Sequence, residues 1–226
     1  MFDQLTRIRT LLGDEKIKKL QDATVMVFGC GAVGSFAIEA LARSGIGNII
    51  LLDFDVVEKS NINRQLFATE STLGRKKTDI AQERIADINP NIKVTAFDMF
   101  FDSDTALPVQ PDFVIDAIDT VKSKLAIYRW CKQNKIPFIS SMGAARKTDP
   151  TKVKIDKISK TFACPLAATI RKAIRDARIG DFPVVFSTEA PAAHKSTSKD
   201  FGSIITVTGT FGLFMANYAI KYLTKN

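Results

Sequence analysis

Histidine is almost missing from this 226-residue chain and cysteine is scarce, with one of the first and three of the second. Cys30, Cys131 and Cys164 stand far apart with no C-x-x-C pair, which argues against both a disulfide framework and a cysteine-built zinc site. Chemistry that leans on an imidazole has only His194, in the polar stretch HKSTSKD, where a solvated loop residue is expected. The opening MFDQLTRIRTLLGDEK lacks an apolar core ahead of a small-residue cleavage site, so no secretory signal is expected. Charge-free runs long enough to cross a bilayer are limited to one, Phe201 to Ile220. Ser203, Thr206, Thr208, Thr210 and Asn217 interrupt it together with Gly209 and Gly212, and polar side chains are costly in lipid. A buried helix, in the core or in a dimer interface, is the expectation. These absences describe a cytoplasmic, reduced, metal-poor protein with no membrane span.

Aromatic residues thin out where positive charge gathers. The net charge is +8, and the segment from Arg146 to Arg178 holds ten lysines and arginines against Asp149, Asp156 and Asp176. That segment contributes +7 by itself, and Phe162 is its one aromatic. A solvated basic face would read the same way, but such concentration favours a polyanion footprint, and the lack of stacking residues favours phosphate over base contact. Arg146, Lys147, Arg171 and Lys172 are the candidate nucleic-acid contacts.

What is present in abundance is alternating β and α pattern. Thr24–Phe28 reads as a strand, Val33 to Ser44 as a helix, and Ile49–Leu52 as a second strand ending in DFD. Residues 74–89 place Ile80, Ala81, Ile85 and Ile88 on one helical face, stopped by Asn89-Pro90. KVTAFDMF, FVIDAID and IPFISS read as strands, with a helix over KSKLAIYRWCKQN. The order predicts an α/β fold: a Rossmann-like, mostly parallel sheet with helices on both faces. Past Gly143 the pattern breaks into a C-terminal extension with the basic segment, the apolar run PVVFSTEAP, a polar stretch expected to be a mobile loop, and the closing buried helix. A single domain over 1–226 is expected, with the basic segment and loop at 146–203 inside it.

Ligands of such sheets sit at the carboxyl ends of the strands. There the sequence places GCGAVG, whose Gly29, Gly31 and Gly34 let backbone N–H groups at a helix start approach a phosphate. Asp53 follows Gly29 by 24 residues, a spacing that lets a carboxylate accept from ribose hydroxyls. These two features suit NAD as well as ATP. Arg64 and Lys77, which follow the second strand, tilt the choice toward ATP. Two cations near an aspartate able to bind magnesium are what phosphoryl or nucleotidyl transfer requires.

The run GCGAVGSFAIEALARSGIGNIILLDFDVVEKSNINRQ, then GRKK, then DAIDT, resembles the ubiquitin-activating-enzyme-like (ThiF/MoeB-type) superfamily of ATP-dependent adenylating enzymes. SSMGAARKTDPTKVKIDKISKT, CPLA, VVFSTEAP and GSIITVTGTFGL resemble its zinc-free branch, which dehydrates threonylcarbamoyladenosine in tRNA. The resemblance runs from about Arg7 to Leu223. It implies a homodimer that adenylates the threonyl carboxylate of the modified base, after which a nucleophile in the same base closes a ring and expels AMP. It implies ATP contacts for Asn61, Arg64 and Lys77, with the two cations steadying the α-phosphate, and Mg2+ at Asp119. Arg7, with Arg9 as its rival, matches an arginine that reaches ATP across the dimer. Ala32 stands where relatives often carry glycine and is expected to crowd the phosphate slightly. Protein-activating relatives use a catalytic cysteine, a role open to Cys164 in its basic surroundings, but the dehydratase reaction needs no thioester; Cys30 and Cys131 read as packing residues. The alternative reading is activation of the C-terminal Gly-Gly carboxylate of a small sulfur-carrier protein. A sulfur-relay protein is a further candidate partner.

Overall fold

The computed structural model describes residues 4–193 and 201–225. The expected loop around His194 lies outside the described residues. Seven strands form one sheet: β1 (Thr24–Phe28), β2 (Asn48–Leu52), β3 (Lys93–Phe97), β4 (Phe113–Asp116), β5 (Phe138–Ser141), β6 (Val153–Lys157) and β7 (Pro183–Ser187). Their order is β3-β2-β1-β4-β5-β7-β6. Every pairing is parallel except that of β6 with β7 at the edge. The helices are α1 (Thr6–Leu12), α2 (Asp14–Asp22), α3 (Gly34–Arg43), α4 (Lys77–Ile88), α5 (Val121–Gln133), α6 (Pro165–Asp176) and α7 (Ile205–Leu223).

The central strands are apolar at successive positions because both faces are covered. Val25, Val27, Ile49, Leu51, Phe113 and Ile115 point into a core shared with α2, α3, α4 and α7. Their neighbours Met26, Phe28, Ile50, Leu52 and Val114 point the other way, into a core shared with α5 and α6. Two-residue alternation along each strand thus feeds two layers.

The charge-free C-terminal run is α7, and it lies against α3. Glycine makes that contact possible: a Cβ on Gly212 would stand 2.3 Å from the Val33 carbonyl oxygen, and one on Gly209 3.1 Å from the Phe36 ring. Phe211 and Met215 are fully buried, a contribution of about 2 kcal/mol each. Two of the polar residues that argued against a membrane are satisfied within the helix, Thr210 Oγ1 donating to the Thr206 carbonyl at 2.7 Å and Thr208 Oγ1 to that of Ile205 at 3.3 Å. The helix is not buried all round: Leu213 and Phe214 stay exposed. Among the described residues no helix is long and apolar enough to cross a membrane.

Two sequence expectations are corrected. The 74–89 helix starts only at Lys77, because residues 74–77 run back along 55–57: Gly74 N–H donates to the Val57 carbonyl and Val57 N–H to that of Arg75, both at 2.9 Å. The basic segment is not an interruption of the fold, since it supplies β6 and α6. Pro165 opens α6 at its first position, Cys164 caps it, and Ala167, Ile170 and Ile174 form a buried stripe beneath the charges. Lys154 and Lys157, the second and last residues of β6, suit an edge strand, where charge deters further pairing.

Candidate functional site

β1, β2, β4 and β5 run parallel, so their carboxyl ends share one edge of the sheet. The glycine turn leaves β1 there. Gly29 has φ +91°, open to glycine at little strain, and a Cβ on it would press at 3.1 Å on the Ala117 carbonyl oxygen, just after β4. At Gly34 a Cβ would fall 1.7 Å from the Gly29 carbonyl oxygen, which leaves no room for any side chain. Gly31 differs, since its nearest neighbour to a Cβ is the Gln65 amide at 3.7 Å. Two glycines are therefore required by the turn itself, while Gly31 keeps open the space above it. No side chain caps the start of α3; Ser35 N–H turns back to the Gly31 carbonyl at 2.9 Å, and the helix start still presents its positive dipole end to an anion.

Asp53, just beyond β2, is buried and grips the turn. Its Oδ2 accepts from Cys30 N–H at 2.6 Å and its Oδ1 from Asp55 N–H at 2.8 Å. Burial pushes its pKa up, while the two N–H donors and the nearby Lys77 pull back. The residue expected to meet a ribose is thus also the tie between the β1 and β2 loops.

Lys77 is brought in by the 55–57/74–77 pairing. It is 5% exposed, and its Nζ donates to Asp55 Oδ2 at 2.6 Å. A buried cation next to the glycine turn, with a half-exposed carboxylate as counter-ion, is the clearest electrostatic feature of the site. Arg64 stands on the turn that follows a short 3-10 segment at Lys59–Asn61. Its guanidinium donates to the Ser60 carbonyl at 2.7 Å and to Asn63 Oδ1 at 2.9 Å. Asn61 is buried, and its Oδ1 accepts from Glu58 N–H at 3.1 Å. Leu66 N–H, donating to Ser35 Oγ at 3.1 Å, docks this loop on α3. Gln65, which sequence reasoning passed over, is the side chain nearest Gly31; nothing in its spacing marks it.

Asp119 lies exposed in the loop after β4. No group of three His, Cys, Asp or Glu side chains able to hold an ion exists among the described residues. One exposed carboxylate fits Mg2+ delivered with a triphosphate, because that ion keeps most of its shell as water and phosphate oxygen. The loop is anchored by a buried cluster that sequence reasoning missed. Lys124 Nζ donates to Asp116 Oδ2 and to the Ser141 carbonyl, both at 2.8 Å, and Ser140 Oγ donates to Asp116 Oδ2 at 2.6 Å. The signal was a lysine on the inward face of α5, eight residues after Asp116.

Arg7 is not brought to this edge within the chain. Leu5 packs against Gly45, past the far end of α3, whose ten residues put about 15 Å between its ends. Arg9 pairs with Asp14 at 2.9 Å.

The four basic candidates part company. Lys147 is a correction: it is 2% exposed, and its Nζ donates to the Ala163 carbonyl at 2.8 Å and to that of Glu189. Burial lowers its pKa, and it cross-links loops where a surface contact was expected. Arg146, at φ +62°, donates through Nε to the Ala192 carbonyl at 2.6 Å and lies over the Phe201 ring. Arg171 donates to the Thr161 carbonyl at 2.9 Å and to its hydroxyl. Lys172 is exposed. Cys164 is buried, with Sγ accepting from Ala167 N–H at 3.5 Å as the cap of α6.

A glycine turn over a parallel sheet, an acid beyond the second strand and a buried lysine opposite are what an adenylating fold requires. The sequence profile of the ThiF family matches residues 3–226. The chain belongs to the ThiF family. Among ThiF-family relatives, the tRNA threonylcarbamoyladenosine dehydratase of Bacillus subtilis is 46% identical over 195 residues, covering 84% of this chain and 77% of that protein. The Escherichia coli protein of the same name is 37% identical over 244 residues, covering 93% and 90%. The crystal structure of the E. coli dehydratase TcdA in complex with ATP superposes with a TM-score of 0.91 over 97% of this chain and 93% of that one, at 37% identity. Molybdopterin-synthase adenylyltransferase of Salmonella typhimurium, another adenylating relative, is 38% identical over 128 residues, 56% of this chain.

Proposed function

We propose that this protein binds ATP at the glycine turn and uses it to dehydrate threonylcarbamoyladenosine in tRNA. The carrying observation is the level of identity held along the chain: 46% over 84% of it and 37% over 93% for the two dehydratases, against 38% over 56% for the molybdopterin-synthase relative and 30% over 92% for an adenylyltransferase and sulfurtransferase of Culex quinquefasciatus.

The reaction is carboxylate activation. A carboxylate is a poor electrophile because its oxygen is a poor leaving group. Its oxygen attacks the α-phosphorus of ATP, the α–β phosphoanhydride bond breaks, and pyrophosphate departs. The acyl adenylate then loses AMP to a nucleophile of the same modified base, closing a ring with net removal of one water. The second step needs no enzyme nucleophile, because substrate geometry supplies the effective concentration. Cys164, buried and committed to a cap, has no part in it.

In this scheme Gly29, Gly31 and Gly34 admit the triphosphate to the start of α3, and Asp53 holds the turn while its remaining acceptor capacity meets the ribose. Asn61 fixes the loop that presents Arg64. Arg64 and Lys77 stabilise charge on the α-phosphate as it becomes five-coordinate, a role in which a dry cation counts for more than a wet one. Asp119 would hold Mg2+, which would supply positive charge against the triphosphate. Arg7 completes the site from a second copy of the chain, whose docking would cover the exposed Leu213 and Phe214 of α7.

The test is AMP release from ATP with tRNA carrying threonylcarbamoyladenosine and with the same tRNA unmodified, followed by mass spectrometry of the nucleosides. AMP only with modified tRNA, with loss of one water from that nucleoside, is the expected result. ATP binding without AMP release or mass change would overturn the proposal, and AMP release driven by a Gly-Gly-ended carrier protein would replace it.

A further inference from the structure

A concavity of about 590 Å³ lies beside α6, away from the glycine turn. Its polar lining consists of Arg171, Lys172, Arg175, Arg178, Ser159 and Asp181. We propose that this groove carries the phosphodiester backbone of the tRNA. The inference rests on the tRNA reading above and assigns it a surface.

The four cations fall at i, i+1, i+4 and i+7, on one side of α6 and its C-terminal turn. From Arg171 to Arg178 the helical rise is about 10 Å, or about three nucleotides at the 3.4 Å rise of one strand. Lys172, Arg175 and Arg178 make no ion pair among the described residues. The groove's one carboxylate is held within the lining, Asp181 accepting from Ser159 Oγ at 2.7 Å and from Ser159 N–H at 3.1 Å, and it stands as a single negative charge against four positive ones. A positive field therefore stands open to solvent. With no aromatic side chain in the lining, the groove suits phosphate and offers bases nothing to stack on.

Position and backbone agree with this. Cys164, at the start of α6, would touch a Cβ on Gly143 at 3.4 Å, and Gly143 lies just beyond the carboxyl end of β5. The helix thus begins on the catalytic edge and leads away from it for about 18 Å, so a strand with one base in the site would have a track to follow. At the far end Arg178 has φ +52°. That position just past a helix is the usual place for glycine, and any Cβ there is strained against the following carbonyl oxygen. Its backbone is held independently, the Arg178 carbonyl accepting from Lys132 Nζ at 2.8 Å. Its side chain is therefore free of any backbone role, and replacing it with glycine tests the charge without disturbing the turn.

The experiment compares wild type, Arg175→Gln/Arg178→Gln and Arg178→Gly in binding of tRNA over a salt series, in ATP binding and in AMP release. Removing two phosphate contacts should weaken tRNA binding about 20-fold at 0.15 M salt and flatten the log–log salt slope by about 1.6. KM for modified tRNA should rise while kcat and ATP affinity hold. Arg178→Gly should bind tRNA less well yet melt about 2 °C higher, a combination that unfolding cannot produce. Unchanged tRNA affinity and salt slope in both variants, with wild type binding tRNA, would overturn the groove and leave the dehydratase reading standing. Wild type that ignores tRNA but loses an acidic carrier protein on the same substitutions would overturn both.

Discussion

Replacing Lys77 by methionine separates its chemical role from its structural one. The stem of Lys77 is buried and its ammonium pairs with Asp55 at 2.6 Å, but the Asp55 side chain is 48% exposed. Methionine keeps the buried stem, and the carboxylate left behind can turn to water. The loss of such a half-solvated pair is worth about 1 kcal/mol, or roughly 2–4 °C in Tm for a chain of this size. Activity should respond on another scale. A donor fixed in a dry site against charge that develops only in the transition state contributes 10²–10³-fold, about 3–4 kcal/mol. The assay is AMP release under saturating modified tRNA, with ATP varied, alongside a thermal melt. Lys77→Met should lose at least about a hundredfold in kcat. Asp55→Asn is the control: it breaks the same pair but keeps the cation, and should lose less than about tenfold. A kcat for Lys77→Met within tenfold of wild type, or equal losses in the two variants, would show that Lys77 only positions the 55–57 segment.

Two further perturbations probe the supports of the site. Lys124→Ala strands Asp116 in a place where both side chains are fully buried; removing one partner of such a pair costs about 3–5 kcal/mol, so urea or thermal melts should show a Tm drop of about 10 °C, and a loss under 1 kcal/mol would mean that water reaches Asp116. Asp53 has its pKa raised by burial, so two opposite trends follow as pH falls through that raised value. Protonation then favours the folded state, adding stability that is full below the ordinary carboxylate value and lost as pH rises through the raised one. ATP affinity moves the other way, falling with pH as the acceptor is lost, and calorimetry of wild type against Asp53→Asn should show this dependence flattened in the variant.

The parts of this molecule that were legible in sequence are those where periodicity and backbone constraint coincide. Thr24–Phe28 appears as a strand with the expected bounds, and Gly29 and Gly34 sit where a turn and a helix start demand them. The α4 boundary slipped because the pairing of 55–57 with 74–77 joins segments some twenty residues apart, and no local pattern announces it. The same pairing delivers Lys77 to Asp55, so the site's central contact was readable as residue types but not as a contact. β6 and α6 were hidden by their own charge: Ala167, Ile170 and Ile174 carry a proper helical stripe, but the surrounding lysines and arginines dominated the composition.

Charge is where counting and geometry diverge most. A sequence sums cations without knowing which way they face, and here two contrasting groups stand out. Lys77, Lys124 and Lys147 are buried, each held by carboxylate or carbonyl oxygens; a cation out of water must be matched, or its charge is lost. Lys172, Arg175 and Arg178 line an open groove with no acid paired to them among the described residues; in water such charges need no partner inside the chain, and can meet one outside it. The buried set cannot serve as a footprint without unpicking the fold, and the open set has no fixed geometry with which to stabilise a transition state. One chain therefore divides its positive charge between two tasks, with the dry cation beside the glycine turn suited to chemistry and the wet ones along α6 suited to holding a long anion.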